Sequence, residues 1–179
     1  LIHKVSLSNF YSESDLNHIM NTLLRIAAET HTKVKTGNFI EWRDSQINFS
    51  VIGRNCTADQ RDDYVVWDNK SGERERIIKT LREEFQGWGL SFRLGGQISI
   101  DIYPKGNDKS QILDIIEQER LVQPDEYIFI GDGINNKGND YPLAKLMEEN
   151  EKQFGKDEYK WYDTEGWEHT KEILESLND

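Results

Sequence analysis

Hydrophobic periodicity changes character at one polar turn, Pro104-Lys105-Gly106-Asn107-Asp108, and few architectures accommodate both halves. Upstream, Leu16, Ile19, Met20, Leu23, Leu24 and Ala27 recur at helical spacing behind Ser12 and Ser14, predicting an amphipathic helix over residues 15–30. Two β-rich runs, 39–43 and 47–52, flank Asp44-Ser45-Gln46 and predict a hairpin. The pattern then repeats. Ile77, Ile78, Leu81 and Phe85 mark a helix over 73–85, and a second hairpin runs from 90–94 across Gly95-Gly96 into 97–103. Residues 4–7 read as a further short strand, while the charged segment 57–72 has no clear period. Residues 1–104 are therefore expected to form an α+β domain, an antiparallel sheet with two helices on one face.

Downstream the grammar is different. Helical patterns over 109–118, 141–154 and 166–177 alternate with single strand-like runs at 127–130 and 159–161. That order belongs to a parallel α/β sheet. Two parallel strands do not make a domain, so residues 105–179 are expected to be part of a sheet whose other strands lie elsewhere. The chain also begins at Leu1 rather than at a methionine, which leads to the expectation that sequence upstream is missing.

Charge narrows the partners. Thirty-three acidic against 22 basic residues leave a net charge of -11, which argues against nucleic acid or an anionic membrane as the main partner. An acidic protein that handles an anionic substrate must concentrate its arginines locally. The single cysteine, Cys56, excludes a disulfide within the chain and suggests a reducing, cytoplasmic setting.

Chemistry-bearing residues fall in three places. Tyr127-Ile128-Phe129-Ile130 runs into Gly131-Asp132-Gly133 and closes at Gly138-Asn139-Asp140, which reads as a buried strand feeding a loop with two carboxylates. Open α/β sheets bind ligands at the carboxyl ends of their strands, and carboxylate oxygens there suit Mg²⁺; an acidic surface turn is the other reading. Lys109 stands at the start of a helix after the boundary turn, where an ammonium could meet a phosphoryl group. Arg43, Arg54 and Arg61 end or follow the first hairpin strands and, if they converge, form a clamp of forked donors. Ser99 and Asp101 share one face of a strand, opposite Ile98, Ile100 and Ile102, facing either a cleft or water. Neither a phosphate-binding glycine loop nor metal-ligand spacing among the four histidines occurs.

Several runs resemble the eukaryotic-type phosphomannomutases of the haloacid dehalogenase superfamily. They are Thr36-Gly37-Asn38-Phe39-Ile40-Glu41-Trp42-Arg43, Ile47-Asn48-Phe49-Ser50-Val51-Ile52-Gly53-Arg54-Asn55-Cys56, and Gly95-Gly96-Gln97-Ile98-Ser99-Ile100-Asp101-Ile102-Tyr103-Pro104 with Asp108-Lys109. Phe129-Ile130-Gly131-Asp132 through Gly138-Asn139-Asp140 completes the set, and the similarity spans roughly residues 1–145 in order.

The resemblance implies an α+β cap in residues 1–104 and part of a Rossmann-like α/β core in 105–179. It implies Mg²⁺ at Asp132 with Asp140 beside it, and Lys109 neutralising the phosphoryl centre. Asp108, Gly131 and Asn139 would support these groups. Arg43, Arg54 and Arg61 would hold the non-reacting phosphate of a hexose phosphate, mannose 1- or 6-phosphate, with Ser99 and Asp101 nearby and a sugar bisphosphate as activator. A homodimer through the cap is implied as well.

Members of this family move a phosphoryl group through an aspartate nucleophile, with a second aspartate two residues on as acid/base. No two aspartates of this chain are spaced that way, so that motif is absent. Asn107, and Asn136-Lys137 in the metal loop, also depart from the family pattern. Two other readings stay open, a capped sugar-phosphate phosphatase and a non-catalytic sugar-phosphate-binding module.

Overall fold

The computed structural model describes residues 5–119, 125–135, 138–154 and 158–177. Two compact units are present, Leu1–Lys105 and Gly106–Asp179, and the fold is mixed α/β.

The first unit opens on α1 (Glu13–Glu29), which starts where a capping box can form. The Ser12 hydroxyl accepts from the Asp15 N–H and the Asp15 carboxylate accepts from the Ser12 N–H, so two end donors are satisfied at once. Its buried stripe, Ile19, Leu23, Ile26 and Ala27, joins a core with Ile77, Ile78 and Leu81 of α3 (Glu73–Glu84).

Both helices cover the apolar side of a sheet ordered β1 (Ile40–Trp42), β2 (Ile47–Ser50), β4 (Ser99–Pro104), β3 (Leu90–Gly95). All three pairings are antiparallel. Ile47, Phe49, Phe92, Ile100 and Ile102 fill the core, because side chains alternate across the pleat. The register puts the polar set on the other face: Glu41 opposite Asn48, Asn48 opposite Asp101, Asp101 opposite Arg93, and Ser50 opposite Ser99.

Among the described residues, three α-helices, not the expected two, belong to this unit. Residues 57–72 contain α2 (Ala58–Ser71), whose apolar residues Tyr64-Val65-Val66-Trp67 are consecutive and so carry no helical period. The helix is specified by its start, where Thr57 and Gln60 form a second capping box. Residues 5–7 are not a strand either. Ser6 and Asn9 cap each other locally, the Asn9 carboxamide oxygen accepting from the Ser6 N–H, and Leu7–Asn9 closes into a 3-10 turn with Leu7 buried. Residues 1–4, where the expected strand begins, lie outside the described residues.

At the joint between α2 and α3, Asp68 accepts from the Arg74 backbone N–H at 2.9 Å and from Arg74 Nε at 2.7 Å. Arg74 Nη1 donates onward to the carbonyls of Gly96 and Ser99, tying the helical joint to the β3–β4 turn.

One turn before Asp68, Tyr64 is 4% exposed, and burial, with the Asp68 and Glu73 carboxylates adding to it, pushes its phenol well above the usual 10. A raised folded-state value means the native phenol keeps its proton where the unfolded one loses it. The associated stability is therefore present below pH 10 and falls as pH rises above it, by up to about 1.4 kcal/mol per unit. Tyr64→Phe is expected to flatten this alkaline limb in urea titrations between pH 9 and 11, leaving the remaining slope to other groups.

In the second unit, α4 (Gln111–Glu119), α5 (Tyr141–Phe154) and α6 (Trp167–Ser176) accompany two parallel strands, β5 (Tyr127–Gly131) and β6 (Tyr159–Asp163). Tyr127 and Tyr159 stack across the pair with ring centroids 5.1 Å apart. Leu113, Leu143, Met147 and Tyr159 form the core. The run 127–130 was expected to be fully buried, but it is half-buried and Ile128 is exposed, since a sheet of two strands covers little of itself. Among the described residues no helix is long and apolar enough to cross a membrane.

Candidate functional site

In the second unit the site sits at the carboxyl end of β5. Asp140, at the start of α5, is 2% exposed, and both its oxygens are engaged. Oδ1 pairs with Lys109 Nζ, and Oδ2 accepts from the Gly133 backbone N–H at 3.0 Å. Residues 31 positions apart are thus joined, with the ammonium half-exposed and its carboxylate buried.

Lys109 lies in the turn before α4 rather than within it. That turn is stabilised by Asp108, whose Oδ1 accepts from the Ser110 N–H at 3.0 Å and also from its hydroxyl. Gly131 is required by close approach: a Cβ there would lie 2.7 Å from Asp140 Oδ2. Asn139 Oδ1 stands 3.1 Å from where a Cβ on Gly133 would be.

Asp132 is exposed and makes no hydrogen bond or ion pair among the described residues. It lines an open cavity of about 350 Å³ together with Lys109, Asp140, Thr164 and the exposed Trp167. Asp163, at the end of β6, holds the loop by accepting from the backbone of Ile134 and Asn135 and from the Asn135 side chain. Asn136 and Lys137 lie outside the described residues.

No group of three metal-ligating side chains occurs among the described residues. The donor set suits a cation that keeps most of its water, as Mg²⁺ does. Asp132 has both oxygens free, whereas Asp140 is committed to the lysine and the loop amide.

In the first unit, the polar face of the sheet gathers four of the five expected residues. Arg43 donates through Nε, at 2.7 Å, and Nη2 to one oxygen of Glu41. Arg54 Nε stands 3.6 Å from that same oxygen, while its Nη1 donates to Asn48 Oδ1 at 3.1 Å. Asn48 Nδ2 donates in turn to Asp101 Oδ1 at 2.7 Å. A continuous polar chain therefore runs Arg43–Glu41–Arg54–Asn48–Asp101 across three strands.

Arg43, hydrogen-bonded to it, holds the Glu41 carboxyl below the usual carboxylate range, and Arg54 adds a smaller pull. Both guanidiniums thus share the Glu41 carboxylate, and the Asp101 carboxylate lies at the far end of the same chain. Ser99 and Asp101, read from sequence as facing a cleft or water, are both buried; Ser50, opposite Ser99, is buried too, and the Ser50 hydroxyl has no hydrogen-bond partner among the described residues. Arg61, on α2, makes no side-chain hydrogen bond or ion pair among the described residues, so its convergence with the other two arginines is not part of this network.

Glu41, Asn48 and Ser50 were not singled out from sequence. The signal was available, since Asn48 and Ser50 alternate with Ile47 and Phe49 as Ser99 and Asp101 do with Ile100 and Ile102.

A family model for eukaryotic phosphomannomutase matches residues 1–175. A phosphomannomutase of Galdieria sulphuraria is 36% identical over 143 residues, 80% of this chain and 55% of that protein. A probable phosphomannomutase of Caenorhabditis elegans is 37% identical over 138 residues, 77% of this chain and 53% of that protein. The chain thus spans about half the length of the curated relatives it matches. Among solved structures, an N-terminally truncated, IMP-bound Plasmodium falciparum IMP-nucleotidase superposes with a TM-score of 0.51 at 16% identity, covering 95% of this chain and 39% of that one. That likeness concerns the fold alone. The matched span and the identity together show that the chain belongs to the eukaryotic phosphomannomutase family.

Proposed function

We propose that this chain is the sugar-phosphate-binding cap and part of the α/β core of a phosphomannomutase, which interconverts mannose 6-phosphate and mannose 1-phosphate. The observation that carries this reading is the pairing of Arg43 and Arg54 on one shared carboxylate, in a protein whose net charge is -11. Their forked donors match the oxygens of a phosphate dianion. Arg61, with no side-chain partner among the described residues, completes the clamp. Asp101 Oδ1 is held by Asn48, leaving Oδ2 to accept a sugar hydroxyl, with Ser99 beside it.

In the second unit, Asp132 holds Mg²⁺, which when bound neutralises charge on the phosphoryl oxygens. Lys109 supplies a second positive charge, and buried Asp140 fixes that ammonium at the cavity. Asp108 sets the turn that carries the lysine. Asp140 orients the metal side of the site and Asn139 packs on its loop. The nucleophile and acid/base of the Asp-x-Asp motif are absent from these 179 residues, so by themselves they bind but do not turn over substrate. Homodimerisation through the cap sheet belongs to the same reading, its edge strand β1 carrying the part-exposed Trp42. So does a cytoplasmic setting, where Cys56 stays free.

Calorimetric titration with mannose 6-phosphate tests the clamp. Saturable binding is expected, weakened at least about tenfold by Arg54→Ala, the loss of one charge-assisted contact. Equal affinity in the variant would remove the phosphate from this face.

A further inference from the structure

A second cavity, entirely within the first unit and outside every residue assigned above, is built like a ligand site. Its volume is about 410 Å³, inside the span of roughly 300–1,000 Å³ typical of small-molecule pockets. It lies between one face of α2 and the segment 31–34 that precedes β1. Gln60, Asp63, Tyr64, Trp67 and Lys70 recur at helical spacing and so line it as one stripe, while Val34 and Ile52 give it an apolar wall.

Two features mark it. The Lys33 and Lys70 side chains make no ion pair or hydrogen bond among the described residues, so both ammoniums are available at the rim. The Trp67 indole is 42% exposed, a large apolar surface left at the opening. Two lysines against the single carboxylate of Asp63 make the rim net positive.

We propose that this cavity is a second ligand site, taking a small anion that carries a planar apolar ring. The ring lies against Trp67 and Val34, and the anionic group meets Lys33 and Lys70. Ring stacking and cation contacts then act together, which neither a bare phosphate nor a neutral aromatic can exploit. Because Arg61 belongs to the same helix, an occupant would also brace the element that carries it.

The test is a two-dimensional NMR titration of the full chain, following the Trp67 indole N–H. The probes are naphthalene-2-sulfonate, the uncharged 2-naphthalenemethanol and the ring-free methanesulfonate. The proposal expects saturable binding of naphthalene-2-sulfonate, at least tenfold weaker for each control probe. It also expects at least a tenfold loss in Lys33→Ala/Lys70→Ala, whose exposed side chains can be removed without unfolding, and no change in Arg54→Ala. Three results would overturn it: no saturable shift at millimolar sulfonate, equal affinity for the uncharged probe, or a loss in Arg54→Ala with the lysine variant unaffected.

Discussion

Gly53→Ala is expected to cost the first unit about 2–5 kcal/mol and to abolish sugar-phosphate binding with it. The residue follows β2 at φ +86, and a Cβ there would lie 2.2 Å from the Gly37 carbonyl oxygen and 2.9 Å from the Gly37 nitrogen. The obstacle is backbone, which cannot rotate aside. Left-handed geometry alone costs an ordinary residue about 1–2 kcal/mol, and overpacking adds about 1–3.

The close approach has a purpose visible in the hydrogen bonds. Thr36 donates through both its N–H and its hydroxyl to the Ile52 carbonyl, and the Arg54 N–H donates to the Asn38 carbonyl. Segment 36–38 is thereby laid along 52–54, and Arg54 is aimed at Asn48 and Glu41. Pushing the segments apart would unseat the arginine even where the fold survives. Gly96→Ala is the control, with φ +53 but nothing within 4 Å of its Cβ, so urea denaturation should show only the conformational part. Equal losses at the two positions would show that the clash is relieved.

Asp68→Ala is expected to destabilise by about 3–5 kcal/mol, the cost of leaving a buried charge without its partner. Arg74 would retain only the Gly96 and Ser99 carbonyls, and its backbone N–H would lose its acceptor. Those carbonyls belong to the turn that leads into β4, so the loss reaches the strand that carries Ser99 and Asp101. Adding Arg74→Met should recover part of the stability, because the unpaired charge leaves with the side chain. Thermal unfolding of the single and double variants reads this directly. A double variant less stable than Asp68→Ala alone would place the stabilisation in the carbonyl contacts instead of the ion pair.

Much of the architecture was legible where one periodicity dominates. Ile98, Ile100 and Ile102 announce β4 and, by alternation, the face that holds Ser99 and Asp101. The apolar stripe of α1 is equally plain. α2 escaped because its four central apolar residues are consecutive, so that only the capping signature Thr57-x-x-Gln60 marks it. Residues 5–7 went the other way, their β-rich composition losing to the local bonds between Ser6 and Asn9.

At the site, the residue types were readable but their partners were not. Nothing local in sequence joins Lys109 to Asp140, and Glu41 became visible as the meeting point of Arg43 and Arg54 only once β1 and β2 were in register. Burial of Asp101 is likewise a tertiary fact. Its alternation fixes which face it takes, and its neighbours decide whether that face meets water.

The most direct measurement is ³¹P NMR of mannose 1-phosphate incubated with the native gene product, Mg²⁺ and a catalytic amount of sugar bisphosphate. The account predicts that the mannose 6-phosphate resonance grows in without net release of inorganic phosphate, and that Asp132→Asn abolishes the conversion. Accumulation of inorganic phosphate with no 6-phosphate, or full activity in Asp132→Asn, would contradict it.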